Sequence, residues 1–246
     1  MVSFDTAEFE TDSPARRPVI STGNAEIDKK LGGGIPVASM TLVEGENDSG
    51  KSVLAQQMIW GSLYDGYRSI LYTSENTVKS FVRQMNSLSL DISDFLLLGK
   101  LKIFPITASK SQLSPSEVFA ILLADMERRL GEADLVVVDS LTTFISHTSI
   151  DETLAFFETC KQYCDRGLSI VNIVNSYAFG QAELARVRSI SDAHIRLRTE
   201  QVGDQLVKVM EVAKVRGAEM NTGNIVSFDV EPMLGMRIIP ISKVSV

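Results

Sequence analysis

The chain has 246 residues, 44% hydrophobic and 22% charged, with a formal net charge of −7. That length and composition suit one large α/β domain with a substantial core. The acidic balance weighs against wholesale binding to a nucleic-acid backbone, which needs a basic surface. No stretch approaches the run of about eighteen apolar residues that a membrane span requires.

Residues 1–18 are polar and acidic, with Pro14 and Pro18, and read as a flexible leader. The opening Met1-Val2-Ser3-Phe4-Asp5-Thr6-Ala7-Glu8 lacks the apolar segment of a secretory signal. A cytoplasmic protein is expected, peripheral to any membrane only through partner proteins. Residues 19–246 then read as a single domain. Ile27 and Leu31 sit four apart, as on one side of a short helix. Gly32-Gly33-Gly34-Ile35-Pro36 breaks it.

Met40-Thr41-Leu42-Val43-Glu44 reads as a short buried strand. The next eight residues, Gly45-Glu46-Asn47-Asp48-Ser49-Gly50-Lys51-Ser52, fit G-x-x-x-x-G-K-[ST], the P-loop pattern. A loop that wraps a phosphate must bring successive backbone N–H groups against its oxygens. Gly45 and Gly50 lack the Cβ that would obstruct that approach. Lys51 supplies a positive charge for β- and γ-phosphates, and Ser52 a hydroxyl for Mg²⁺. Ser52 to Trp60 reads as a helix, whose N-terminus favours an anion. Strand, glycine loop and helix together are the setting that a chance match would lack.

Ser69 to Ser74 reads as a second strand, ending at Glu75-Asn76 and expected beside the P-loop strand. Thr77 can cap the next helix, with Phe81, Val82, Met85 and Leu88 on its apolar side. Leu101 to Pro105 is another strand. Ser114-Pro115-Ser116-Glu117 predicts a capping box with proline at the first helical position, on a helix reaching about Leu130. Asp134-Leu135-Val136-Val137-Val138-Asp139 suits a strand buried on both faces, as in parallel sheets. A helix from Asp151 to about Arg166 and a buried strand from Leu168 to Val174 follow. Ile195 to Arg198 and Leu206 to Met210 alternate around Gln201-Val202-Gly203-Asp204, which is hairpin pattern. Ile225 to Asp229 and Met236 to Pro240 read as further strands. An alternating βα body with a mainly parallel sheet therefore ends in an antiparallel extension.

The two cysteines, Cys160 and Cys164, read as reduced core thiols, because His147 and His194 stand at no ligand spacing from them. Asp139 is the natural Mg²⁺ partner of Ser52; the alternative is a strand-end aspartate that caps a turn. Glu75 has two readings that spacing does not separate: a catalytic group that orients the attacking water, or a helix-start carboxylate serving the dipole. Lys214 and Arg216 share a strand face before Gly217. They are either a solvated charged face or cations that reach a phosphate in a neighbouring subunit.

The stretches Ile20-Ser21-Thr22-Gly23 through Leu31-Gly32-Gly33-Gly34-Ile35-Pro36, and Lys214-Val215-Arg216-Gly217, strongly resemble the KaiC-like ATPases of the RecA superfamily. The resemblance runs from about Val19 to about Pro240. It implies a RecA-type core, ATP as ligand, and a homo-oligomer, commonly a hexameric ring with nucleotide between subunits. In that family the equivalents of Lys214 and Arg216 reach the neighbour's γ-phosphate. The acidic leader, the P-loop residues and Val-Val-Val-Asp-Ser-Leu-Thr around Asp139 look most like the branch that serves the archaeal flagellum, the archaellum. That likeness implies an ATP-binding regulatory and assembly component, with the archaellum motor ATPase and the membrane platform protein as partners.

Clock-type relatives carry two adjacent glutamates where this chain has Glu75-Asn76, so slow or partner-dependent hydrolysis is expected. The chain ends at Ser245-Val246, without the tail that clock relatives phosphorylate, which argues against an autokinase regulator. A recombinase-type DNA-binding ATPase is a further alternative on such a core, with Arg186, Arg188, Arg196 and Arg198 as groove residues.

Overall fold

A computed structural model describes residues 19–106, 113–202, 205–216 and 225–239. The leader, Gly217 and Pro240 lie outside these residues. A two-stranded ribbon pairs β1 (Val19–Ile20) with β2 (Ile35–Pro36), around α1 (Ala25–Leu31). Asn24 caps α1 through its side chain, and Gly32, at φ 80°, ends it in the left-handed conformation that glycine adopts without strain.

The body is one nine-stranded sheet. In chain order its strands are β3 (Met40–Gly45), β4 (Ser69–Thr73), β5 (Leu101–Pro105), β6 (Leu135–Asp139), β7 (Ser169–Asn175), β8 (Ala193–Val202), β9 (Gln205–Val215), β10 (Ile225–Glu231) and β11 (Gly235–Ile239). In space they run β11-β10-β9-β8-β3-β7-β6-β4-β5. The strands β8, β3, β7, β6, β4 and β5 are mutually parallel, and β9 to β11 are antiparallel. The expected α/β architecture and its antiparallel extension are both present.

Alternation along the strands feeds two cores. Val43, Val137, Val171 and Ile195 face α1, α2 (Lys51–Tyr64) and α3 (Val78–Ser87). Leu42, Val136, Val138 and Ile170 face the other layer. That layer comprises α5 (Pro115–Arg128), α6 (Thr142–Ile145), α7 (Ile150–Asp165) and α8 (Gln181–Ile190); the short α4 (Ser93–Leu97) packs by β5. Helices on both faces explain why the central strands read as unbroken apolar runs. The capping boxes at Ser114 and Ser149 are formed. Cys160 and Cys164 are buried and unbridged, as expected.

Two expectations need correction. The strand that ends before Glu75 does not lie beside the P-loop strand: β3 is flanked by β7 and β8, while β4 pairs with β5 and β6. Parallel strands joined by helical crossovers need not be spatial neighbours in chain order. The hairpin strands are also longer than the alternation indicated, since Gln201 and Val202 remain paired with Leu206 and Gln205. The helix after Pro115 ends at Arg128, with Arg129 as its C-cap, close to the expected end.

Candidate functional site

The P-loop leaves the C-terminal end of β3 and enters α2 at Gly50, which has φ 96° and no side-chain cap. The first-turn N–H groups of α2 are therefore offered to whatever occupies the loop. Both motif glycines are sterically required. A Cβ on Gly45 would collide with the Leu197 carbonyl and come within 2.7 Å of Ser49 Oγ, and one on Gly50 would press on the Phe228 ring at 3.0 Å. The Lys51 ammonium donates to the Glu46 carbonyl across the loop.

A cavity of about 590 Å³ opens over this loop. It brings together Lys51, Ser52, Glu75 and Asp139, with Asn175 from the end of β7 and Lys208 and Val230 from β9 and β10. Asp139 is 3% exposed, and its carboxylate accepts from Ser52 Oγ at 3.4 Å. Burial, reinforced by repulsion from Glu75, pushes its pKa up to about 7. Burial also lowers the Lys51 pKa, against the opposing pull of Glu75, Asp139, Asp48 and Glu46. The site thus holds one buried cation among several carboxylates. A hydroxyl and a carboxylate are hard oxygen donors that fit Mg²⁺, and a cation there would offset the burial and repulsion that oppose ionisation of Asp139.

Glu75 reaches the cavity even though its strand is three places from β3. Thr73 pairs with Asp139, so the loops leaving β4 and β6 run together. Ser74 N–H donates to the Asp139 carbonyl at 2.9 Å, and Ser140 Oγ donates to Glu75 Oε1 at 3.3 Å. Thr73 Oγ1 accepts from the Glu75 and Asn76 N–H groups. The Asn76 side chain is turned away toward α3, where Ser80 Oγ and Gln84 Nε2 donate to its Oδ1 at 3.0 and 3.1 Å.

Lys214 and Arg216 are not in the cavity. Gly45 lies level with Leu197 on β8, whereas Lys214 pairs with His194, level with Leu42. At about 3.3 Å per residue, Lys214 stands roughly 10 Å back along the strands from the P-loop, and Arg216 roughly 17 Å. Both cations lie toward the ends of the strands opposite the P-loop. Lys208, by contrast, pairs with Thr199 beyond the Leu197 level and so faces the cavity.

The sequence reading missed Lys208, Asn175 and Val230. A signal for Lys208 exists: it is in phase with the buried Met210 and Val212, a cation where the alternation calls for an apolar side chain. The reading also missed a buried carboxylate. Glu44 is fully buried and held by Arg188, with His194 Nε2 at 3.4 Å and Arg196 Nε at 3.8 Å. Burial pushes its pKa up, but the bonds from His194 and Arg188 outweigh this and leave it below the usual range. Three of the four arginines considered for a nucleic-acid groove are therefore engaged with carboxylates. Arg188 and Arg196 face Glu44, and Arg198 bonds Glu200 and Glu211.

A P-loop at the end of a central parallel strand, a strand-end aspartate facing its serine, and an antiparallel extension define a RecA-type nucleotide-binding core. The sequence pattern described as "ATPase: KaiC" matches residues 20–243, and the chain belongs to that family. Within the family it stands with the FlaH proteins. It is 30% identical over 224 residues to the archaeal flagellar ATP-binding protein FlaH of Methanocaldococcus jannaschii, covering 89% of this chain and 94% of that one. The FlaH of Sulfolobus acidocaldarius is 29% identical over 225 residues, covering 91% and 98%. The crystal structure of flagellar accessory protein FlaH from Methanocaldococcus jannaschii superimposes with a TM-score of 0.78 at 27% identity, over 90% of this chain and 99% of that one. Among the described residues no helix is long and apolar enough to cross a membrane.

Proposed function

We propose that this chain is an ATP-binding regulatory and assembly component of the archaellum motor. It binds ATP with Mg²⁺ between subunits of a homo-oligomeric, hexameric ring, in the cytoplasm and peripheral to the membrane through its partners. Its nucleotide state governs contact with the motor ATPase and the membrane platform protein. The observation that carries this reading is a division of the site. Lys51, Ser52, Glu75 and Asp139 share one cavity, while Lys214 and Arg216 lie toward the opposite ends of the strands, beyond reach of their own P-loop.

The roles follow from chemistry. The loop N–H groups and Lys51 hold the β- and γ-phosphates. Lys208, whose side chain passes close to Gly50, and Val230 take the remainder of the nucleotide. Ser52 and Asp139 hold Mg²⁺, which when bound neutralises charge on the phosphates. Glu75, steadied by Ser140, orients water toward the γ-phosphate. With Asn76 bonded to α3, Glu75 acts alone, which supports slow or partner-dependent turnover. ATP then links subunits through Lys51 on one side and Lys214 and Arg216 on the other, so occupancy and assembly are coupled by mass action.

The test is steady-state ATP hydrolysis over a wide range of protein concentration, with bound nucleotide quantified alongside. Specific activity that rises with concentration, and is lost in Lys214→Ala, supports a site completed between subunits. Tight ATP binding with background turnover in the assembled protein removes the catalytic role of Glu75 and leaves an ATP-gated scaffold.

A further inference from the structure

The last turn of α8 touches both halves of the divided site. The Arg188 guanidinium grips Glu44, the residue immediately before Gly45 of the P-loop, donating from Nε at 3.1 Å and also from Nη2. The Arg188 carbonyl, on the same residue, accepts from Lys214 Nζ at 3.4 Å. Ser189 and Ser191 complete the cradle, accepting the same ammonium at 3.4 and 2.5 Å. Three carbonyls converging on one ammonium is what the C-terminal end of a helix offers a cation.

Two further features fix this geometry. The β8–β9 pairing slips between His194 and Ile195, so that Lys214 pairs with His194 but Val212 with Ile195. Ala213 is thus the extra residue of a bulge, a device that re-aims the neighbouring side chain. Asp192, just beyond the cradle, is buried and accepts from Met40 N–H at 3.0 Å and Lys161 Nζ at 2.7 Å. Its other oxygen lies 3.8 Å from Arg216 Nη1. The segment 188–192 is therefore tied to both ends of the P-loop strand and to both cations.

We propose that Arg188 is a positioning residue: it fixes the α8 terminus that holds the Lys214 ammonium, whose two 3.4 Å bonds a phosphate of the neighbouring subunit can replace, and ties that placement to the subunit's own P-loop through Glu44. The inference rests on the reading that Lys214 acts across a subunit boundary. A nucleotide that settles the P-loop strand in one subunit then settles the cation that subunit extends to the next, and the same ion pair joins adjacent sites around the assembly.

A double-mutant cycle on ATP-dependent self-association, followed by sedimentation velocity, tests this. The variants are Arg188→Lys, which keeps the charge but loses the two-pronged grip on Glu44, Lys214→Ala, and both together. Lys214→Ala weakens ATP-dependent association roughly tenfold, and Arg188→Lys does so several-fold. In the Lys214→Ala background, Arg188→Lys has no additional effect. If Arg188→Lys costs the same in both backgrounds, or nothing in either, the positioning role is refuted. If Lys214→Ala alone leaves association unchanged, the underlying intersubunit reading fails instead. Should Arg188→Lys not fold, Glu44→Gln loosens the same pair while leaving no unpaired buried acid, and it must show the same dependence on Lys214.

Discussion

Asp139 offers the sharpest quantitative test of the site. An aspartate ordinarily ionises near pH 4, whereas burial and Glu75 push Asp139 up to about 7. A carboxyl that is harder to ionise folded than unfolded contributes stability at low pH, and that contribution is lost as pH rises through its folded value. Each pH unit in that window corresponds to about 1.4 kcal/mol. Without Mg²⁺, Asp139 therefore costs the fold roughly 2–3 kcal/mol between pH 5 and pH 8. Asp139→Asn retains the shape and does not titrate. Urea unfolding of both proteins at pH 5, 6, 7 and 8, without metal, should show the variant gaining on the wild type by that amount, with the difference flat above about pH 7. Adding Mg²⁺ with ATP should stabilise the wild type more than the variant, which keeps the phosphate contacts of the loop and Lys51 but loses the carboxylate for the cation. A wild-type-minus-variant difference that is constant from pH 5 to 8 would refute the account of a buried carboxylate awaiting a cation.

Lys51→Ala should keep the fold and weaken ATP binding about 10- to 100-fold, read by fluorescence titration, because one charge-assisted contact to phosphate is lost. Glu75→Gln should bind ATP within about threefold of wild type and lose roughly a hundredfold or more in turnover. Gly45→Ala drives a Cβ into the Leu197 carbonyl, so its melting temperature should fall by roughly 3–10 °C in a calorimetric scan. Cys160 and Cys164 are fully buried, and burial raises both pKa values, that of Cys164 to about 12. A disulfide reagent at pH 8 should therefore label neither thiol in the folded chain and both in urea.

Local chemistry was legible in the sequence where it is written in neighbouring residues. The P-loop, the valine run of β6, the Ser114 capping box and the alternating hairpin all lie where their patterns placed them. Partnership across the sheet was not legible. Glu75 meets Asp139 because β4 pairs with β6, and no property of either segment states that choice of neighbour. Glu44 looked like the end of a buried strand; its partners Arg188, His194 and Arg196 lie about 150 residues further along the chain. The helix α8 was missed because Gln181–Ile190 buries only Leu184 and Val187, too few to set a period. Lys208 interrupts the apolar phase of Met210 and Val212, a signal that reads equally as the polar position of an alternating strand.

The phosphate loop rests on strands that are made long after it. Phe228 lies under Gly50, Gly235 packs against Gln57 of α2, and Asn24 Nδ2 donates to the Met236 carbonyl at 2.7 Å. A chain emerging from the ribosome can complete β3, α2 and the motif early, yet the support beneath Gly50 arrives some 180 residues later. Contacts of such wide sequence separation form slowly and late. The nucleotide site is therefore finished only when β10 and β11 have been made: a chain cut before them carries the whole motif and still lacks the surface that shapes it.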